Sequence, residues 1–149
     1  MKFRFPIVII DEDYRSENTS GLGIRALAKA IEDEGFEVVG VTSYGDLSQF
    51  AQQQSRASAF ILSIDDEEFV ASGPELDPAA VLNLRKFIEE VRRKNEDVPI
   101  YLHGETKTSQ HLPNDILREL HGFIHMFEDT PEFVAKHIIR EAKSYMEGI

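Results

Sequence analysis

Residues 7–10 read Ile-Val-Ile-Ile. Four β-branched apolar residues in a row leave no face for water, so the run suits a strand covered on both sides, as in the middle of a parallel sheet. It stops abruptly at Asp11, Glu12 and Asp13. In an open α/β sheet the carboxyl ends of the strands are where ligands and ions are met. Acids also stop a strand and solvate the loop behind it. The residues alone leave both readings open.

The same pattern returns. Residues 57–64, ASAFILSI, form a second almost wholly apolar run, again closed by acids, Asp65, Asp66, Glu67 and Glu68. Residues 36–41, 98–102 and 122–127 read as three further strands. Helical spacing fills the gaps. Ile24, Leu27, Ala28 and Ile31 fall three and four apart, with Ser20 placed to cap the helix and Gly35 to end it. Residues 44–54 make a weaker helix around Leu47 and Phe50, and Gly73-Pro74 marks a loop. Asp77-Pro78 opens a helix with Val81, Leu84, Ile88 and Val91 as its stripe, and Arg92, Arg93 and Lys94 read as its solvated end. Residues 114–120 form a short helix. Thr130-Pro131 starts the last one, with Val134, Ile138, Ala142 and Tyr145 inward.

Strands alternating with helices imply right-handed crossovers and a parallel sheet. Five strands fit the flavodoxin-like order 2-1-3-4-5, an α/β three-layer sandwich with helices on both faces. Strands one and three are then neighbours, so the acidic ends at Asp11-Glu12 and Asp65-Asp66 are expected to meet at one edge. If Asp11, Glu12 and Asp65 converge with no cation between them, like-charge repulsion raises at least one of their pKa values.

A length of 149 residues predicts one domain, 1–149. A formal charge of −11 makes nucleic acid an unfavourable partner. With no cysteine there is neither a disulfide frame nor a thiolate metal site. No apolar run is long enough to span a bilayer and no secretory leader opens the chain, which fits a cytoplasmic protein.

Clustered carboxylates at strand ends suit a hard divalent cation. The ends of strands one and three resemble those of a phosphoacceptor receiver domain, with Asp11 and Glu12 as its acidic pair. The likeness then fails. Ser63 stands where a receiver has its acceptor Asp, Asp65 comes two residues later, and no Lys lies near Met126, where the receiver's lysine would fall. His103-Gly104 occupies the place of its small hydroxyl residue. A phosphoaspartate needs acceptor, metal and lysine together, so phosphotransfer is not expected. Ser20 to Gly23, SGLG, matches neither the dinucleotide fingerprint nor a Walker loop and reads as a turn. His121 and His125 do not share a helical face, and Ser63 has no His and acid at a telling spacing to make it a nucleophile. No catalytic, cofactor-binding or metal-ligating residue is assigned.

The whole chain does resemble one family. The opening FPIVIIDEDYRSENTSGLGIRALAKAIEDEGFEVVGVTSYGDLSQF, the middle segments AFILSIDDEE and FIEEVRRKNEDVPIYLHGET, and the closing ILRELHGFIHMFEDTPEFVAKHIIREAKSY are similar to the N-terminal domain of bacterial pyridoxal-phosphate-dependent ornithine/lysine/arginine decarboxylases. The resemblance runs through loops as well as core segments, from Phe5 to about Tyr145. It implies a receiver-like wing domain without receiver chemistry, inert alone, that serves subunit packing in a homo-oligomer. The chain would then be a piece of a longer enzyme. Pyridoxal phosphate and its lysine would lie in the remainder of that chain, where a basic amino acid loses its α-carboxylate as CO₂. The resemblance also implies that some relatives bind guanosine tetraphosphate between subunits; no residue here is assigned to that site. Two other readings are a stand-alone receiver or pseudo-receiver acting by protein contact, and a small nucleotide- or flavin-binding module.

Overall fold

The computed structural model describes residues 5–42, 56–63, 78–94, 96–104, 112–125 and 128–148. Five strands lie in the order β2-β1-β3-β4-β5, every neighbouring pair parallel: β1 Ile7–Ile10, β2 Val38–Val41, β3 Ala59–Ser63, β4 Ile100–Gly104 and β5 Gly122–His125. The described helices are α1 Thr19–Asp33, α2 Pro78–Lys94, α3 Asn114–Leu117 and α4 Pro131–Glu147. The expected order and the three layers are therefore both present. The helix expected at residues 44–54, the loop at 69–76, Asp65 and the cap Asp77 lie outside the described residues.

The sheet divides two cores by the alternation of its side chains. Val8, Ile10, Phe60, Leu62, Ile100 and Leu102 face α2 and α3. Ile7, Ile9, Ala59, Ile61, Tyr101 and Ile124 face α1 and α4. This is why the runs lack alternation in sequence: both faces of the central strands are covered.

Three local details differ from the sequence reading. The cap of α1 is Asn18, not Ser20: its side chain accepts the Gly21 N–H at 2.8 Å. Starting the helix two residues early brings Gly21 against the backbone of the preceding loop, where a Cβ would overlap the carbonyl oxygens of Asp13 and Ser16. Thr130 does precede α4, but its hydroxyl makes no capping bond. Arg92 is not a solvated helix end. Its guanidinium donates to Glu119 Oε2 at 2.8 Å and to the carbonyls of Val98 and Glu119 at 2.6 and 2.7 Å, tying α2 to the segment after α3. The far end of α1 is as expected: Gly35 takes a positive φ of 96°, which glycine adopts without strain.

Tyr101 is 2% exposed, and its hydroxyl has no hydrogen-bond partner among the described residues. Burial, reinforced by Glu141, pushes its pKa above the ordinary 10. Tyr101→Phe removes an unsatisfied buried donor and is expected to stabilise the domain by about 1 kcal/mol in urea titrations at neutral pH. The native state holds the Tyr101 proton while the unfolded chain releases it above pH 10, so stability falls as pH rises past that value. The same variant should flatten that alkaline decline.

Candidate functional site

The register of the sheet places the site. Ile10 pairs with Leu62, and Ser63 with His103, so the residues just beyond the apolar runs of β1, β3 and β4 stand side by side at the carboxyl edge. They are Asp11, Ser63 and His103. Asp11 is 5% exposed and His103 7%. Asp11 Oδ1 accepts the Asp13 N–H at 2.8 Å, which folds the acidic loop back over the strand end. Asp11 Oδ2 accepts the Ser63 hydroxyl at 2.9 Å. Ser63 Oγ lies 3.3 Å from His103 Nδ1.

One hydroxyl proton cannot serve both neighbours. With Ser63 donating to the Asp11 carboxylate, His103 must carry its proton on Nδ1 and donate to Ser63 Oγ. The chain therefore runs imidazole to hydroxyl to carboxylate. A serine nucleophile needs a different order, in which the imidazole accepts the hydroxyl proton and the acid orients the imidazole. The sequence spacing gave Ser63 no His and acid; the fold supplies both, in an order that holds the hydroxyl rather than activating it.

His103 also lines a cavity of about 300 Å³ between the starts of α1 and α4. Leu27, Ile124 and Val134 form its apolar wall, with Thr19, His125 and Thr130 among its polar residues. His125 Nδ1 sits 3.3 Å from Glu128 Oε2, and the His125 N–H donates to Asp129 Oδ2 at 2.8 Å, so the rim pairs internally.

Of the expected acidic edge, Asp11 is at the site, Glu12 is exposed in the loop beside it, and Asp65 lies outside the described residues. Among the described residues no group of three or more His, Asp or Glu gathers as for a metal ion. His121 precedes β5 and His125 ends it, so the two are at opposite edges of the sheet. Burial, then the Arg92 charge, lowers the His121 pKa. His103 went unassigned in the sequence because a contact across strands depends on register. The available signal was positional: it follows the apolar part of β4 just as Asp11 follows β1.

Three comparisons bear on this edge. The family model for the N-terminal domain of Orn/Lys/Arg decarboxylases matches residues 19–145. The chain belongs to that family. Lysine decarboxylase LdcA of Pseudomonas aeruginosa is 24% identical over 149 residues, covering 98% of this chain and 19% of that protein. The biodegradative arginine decarboxylase of Escherichia coli is 21% identical over 145 residues, covering 96% and 18%. This decarboxylase N-terminal domain thus spans about a fifth of the length of the curated relatives it matches. The solved lysine decarboxylase A from Pseudomonas aeruginosa superposes with a TM-score of 0.81 at 23% identity, over 99% of this chain and 19% of that one. A response regulator receiver domain protein from Clostridium thermocellum superposes with a TM-score of 0.64 at 11% identity, over 97% and 99%. The fold is thus that of receiver domains.

Pyridoxal phosphate does not fit the described residues of this domain. Lys29, Lys86, Lys136 and Lys143, the lysines whose side chains are described, all stand exposed on helices. None of them lines the cavity beside His103.

Proposed function

We propose that this chain is the non-catalytic assembly domain of a pyridoxal-phosphate-dependent decarboxylase acting on ornithine, lysine or arginine in the cytoplasm. The remainder of that enzyme would hold the cofactor and release CO₂ from the amino acid. Residues 1–149 would act as one domain that packs subunits in a homo-oligomer, with neither nucleic acid nor membrane as a partner. One observation carries the reading: the position after the apolar run of β3 holds Ser63, and its hydroxyl is already engaged by the Asp11 carboxylate. An edge arranged in this way has a side chain held in place and no group poised for transfer. No helix among the described residues is long and apolar enough to cross a membrane.

The test compares the full reading frame with a version lacking residues 1–149. CO₂ release from lysine, ornithine and arginine is followed, and assembly size is read by sedimentation velocity. Removal of the domain is expected to dissolve the larger assembly while turnover per active site persists. Loss of turnover with assembly intact would overturn the reading. A reading frame with no further catalytic domain would favour a free-standing pseudo-receiver, which the end-to-end likeness to receiver domains also fits.

A further inference from the structure

We infer that the cavity between the starts of α1 and α4 is a binding site for a small aliphatic amine, with the methylene chain on the apolar wall and the ammonium at the rim formed by Glu128 and Asp129. This goes beyond the assembly role proposed above and does not depend on it.

The cavity, about 300 Å³, is at the small end of ligand sites. Its wall comes from rigid elements. Leu27, Ile124 and Val134, all buried, face it from α1, β5 and α4. His103 closes it from β4, with its ring held through Ser63. Thr19, Gly23 and Leu27 recur every fourth residue, so one ridge of α1 lines the cavity. The middle member of that ridge has no side chain. A Cβ at Gly23 would meet nothing within 4 Å, whereas one at Gly21 would overlap backbone. No packing therefore calls for glycine at 23, and glycine weakens a helix beyond its first turn. What Gly23 does is leave a notch between Thr19 and Leu27, through which the cavity opens to solvent.

Charge decides the ligand. Among the described residues, the lining includes Glu128 and Asp129 but no Lys or Arg. The start of α4 contributes roughly half a positive charge. Glu128 and Asp129 before it and Glu132 in its first turn outweigh that. The chain's net −11 has the same sign as these acids, so an anion is repelled and a cation drawn in. His125 already touches both rim acids: its Nδ1 lies 3.3 Å from Glu128 Oε2, and its backbone N–H donates to Asp129 Oδ2. A carboxylate has lone pairs beyond a single bond, so each acid can still accept from an ammonium. Thr130 adds a hydroxyl beside them. A compact ammonium with three donors matches two carboxylates and a hydroxyl, where a planar guanidinium would need one carboxylate squarely opposite.

Methyl-region NMR spectra of the 149-residue chain, titrated with n-pentylamine at neutral pH, test this. The Leu27, Ile124 and Val134 signals should shift together and saturate in the millimolar range, as suits so small a ligand. Pentanoate should leave them unmoved, and pentanol should bind more weakly than the amine. Gly23→Leu fills the notch with a better helix former and should abolish the shifts with an unchanged circular dichroism spectrum. Glu128→Gln, at an exposed position, should weaken binding about threefold without touching the fold. Shifts that never saturate, equal binding of pentanol or pentanoate, or saturation indifferent to both variants would overturn the site. The same titration on the full reading frame separates a ligand site from a seat for another part of the chain. Binding kept there supports the amine site; binding lost there would mean that a segment from outside residues 1–149 occupies the cavity, and would overturn it.

Discussion

Gly21→Ala is expected to destabilise the domain by about 3 kcal/mol, at the upper end of the usual cost of overpacking. The helix starts at Thr19, and its first turn presses onto the loop that carries the acidic run. That loop is fixed from several sides. The Tyr14 N–H donates to the Asp11 carbonyl and the Ser16 N–H to the Asp13 carbonyl, at 3.0 and 2.9 Å. Arg25 donates to the carbonyls of Tyr14 and Ser16, both at 2.7 Å. A Cβ at Gly21 would overlap backbone oxygens of Asp13 and Ser16, and backbone held in this way cannot swing aside as a side chain tip can. Gly23, two residues on, has nothing within 4 Å of the same atom. Gly23→Ala should therefore be neutral or stabilise by up to about 1 kcal/mol through helix propensity. Urea denaturation of the two variants side by side measures the contrast. Equal effects would mean that helix and loop are not in this contact.

Asp11→Ala should cost about 2–3 kcal/mol in the same assay. The carboxylate is buried and accepts from both Asp13 N–H and Ser63 Oγ, so its removal strands two donors. Asp11→Asn keeps an acceptor and should lose about half as much. Ser63→Ala should cost roughly 1 kcal/mol, because it takes one bond from a charged group that keeps another. Since Asp11 and Ser63 share a bond, their losses should not add; a double-mutant cycle should give a coupling of about 1 kcal/mol. Additive losses would mean the 2.9 Å contact contributes nothing to stability.

Where the chain's physics is local, the sequence states it clearly. Unbroken apolar runs at Ile7–Ile10 and at residues 59–62 suit strands covered on both sides, and that sets the three layers. The stripes of α1, α2 and α4 fall at helical spacing and are buried as that spacing predicts, except that Tyr145 near the end of α4 is only half-buried. Boundaries were less legible. Asn18, Thr19 and Ser20 can all cap a helix, and only the packing of Gly21 on the loop selects Asn18. β4 runs on through His103 and Gly104, past the point where its apolar pattern ends, because His103 finds its partner across the sheet. Arg92 looked solvated because its acceptors, on Glu119 and Val98, come from a segment that folding brings back to α2. The site follows the same rule. Asp11 and Ser63 are 52 residues apart and Ser63 and His103 are 40 apart, so their meeting depends on strand register and leaves no local mark.

We propose that the described carboxyl edge of this receiver-like sheet, Asp11, Ser63 and His103, is a fixed hydrogen-bonded corner rather than a phosphoryl acceptor. Incubation of the chain with acetyl phosphate and Mg²⁺, followed by intact-mass measurement before and after acid treatment, tests it most directly. The mass is expected to be unchanged under both conditions. An acid-labile phosphoryl group on a carboxylate at the Asp11 edge would contradict it.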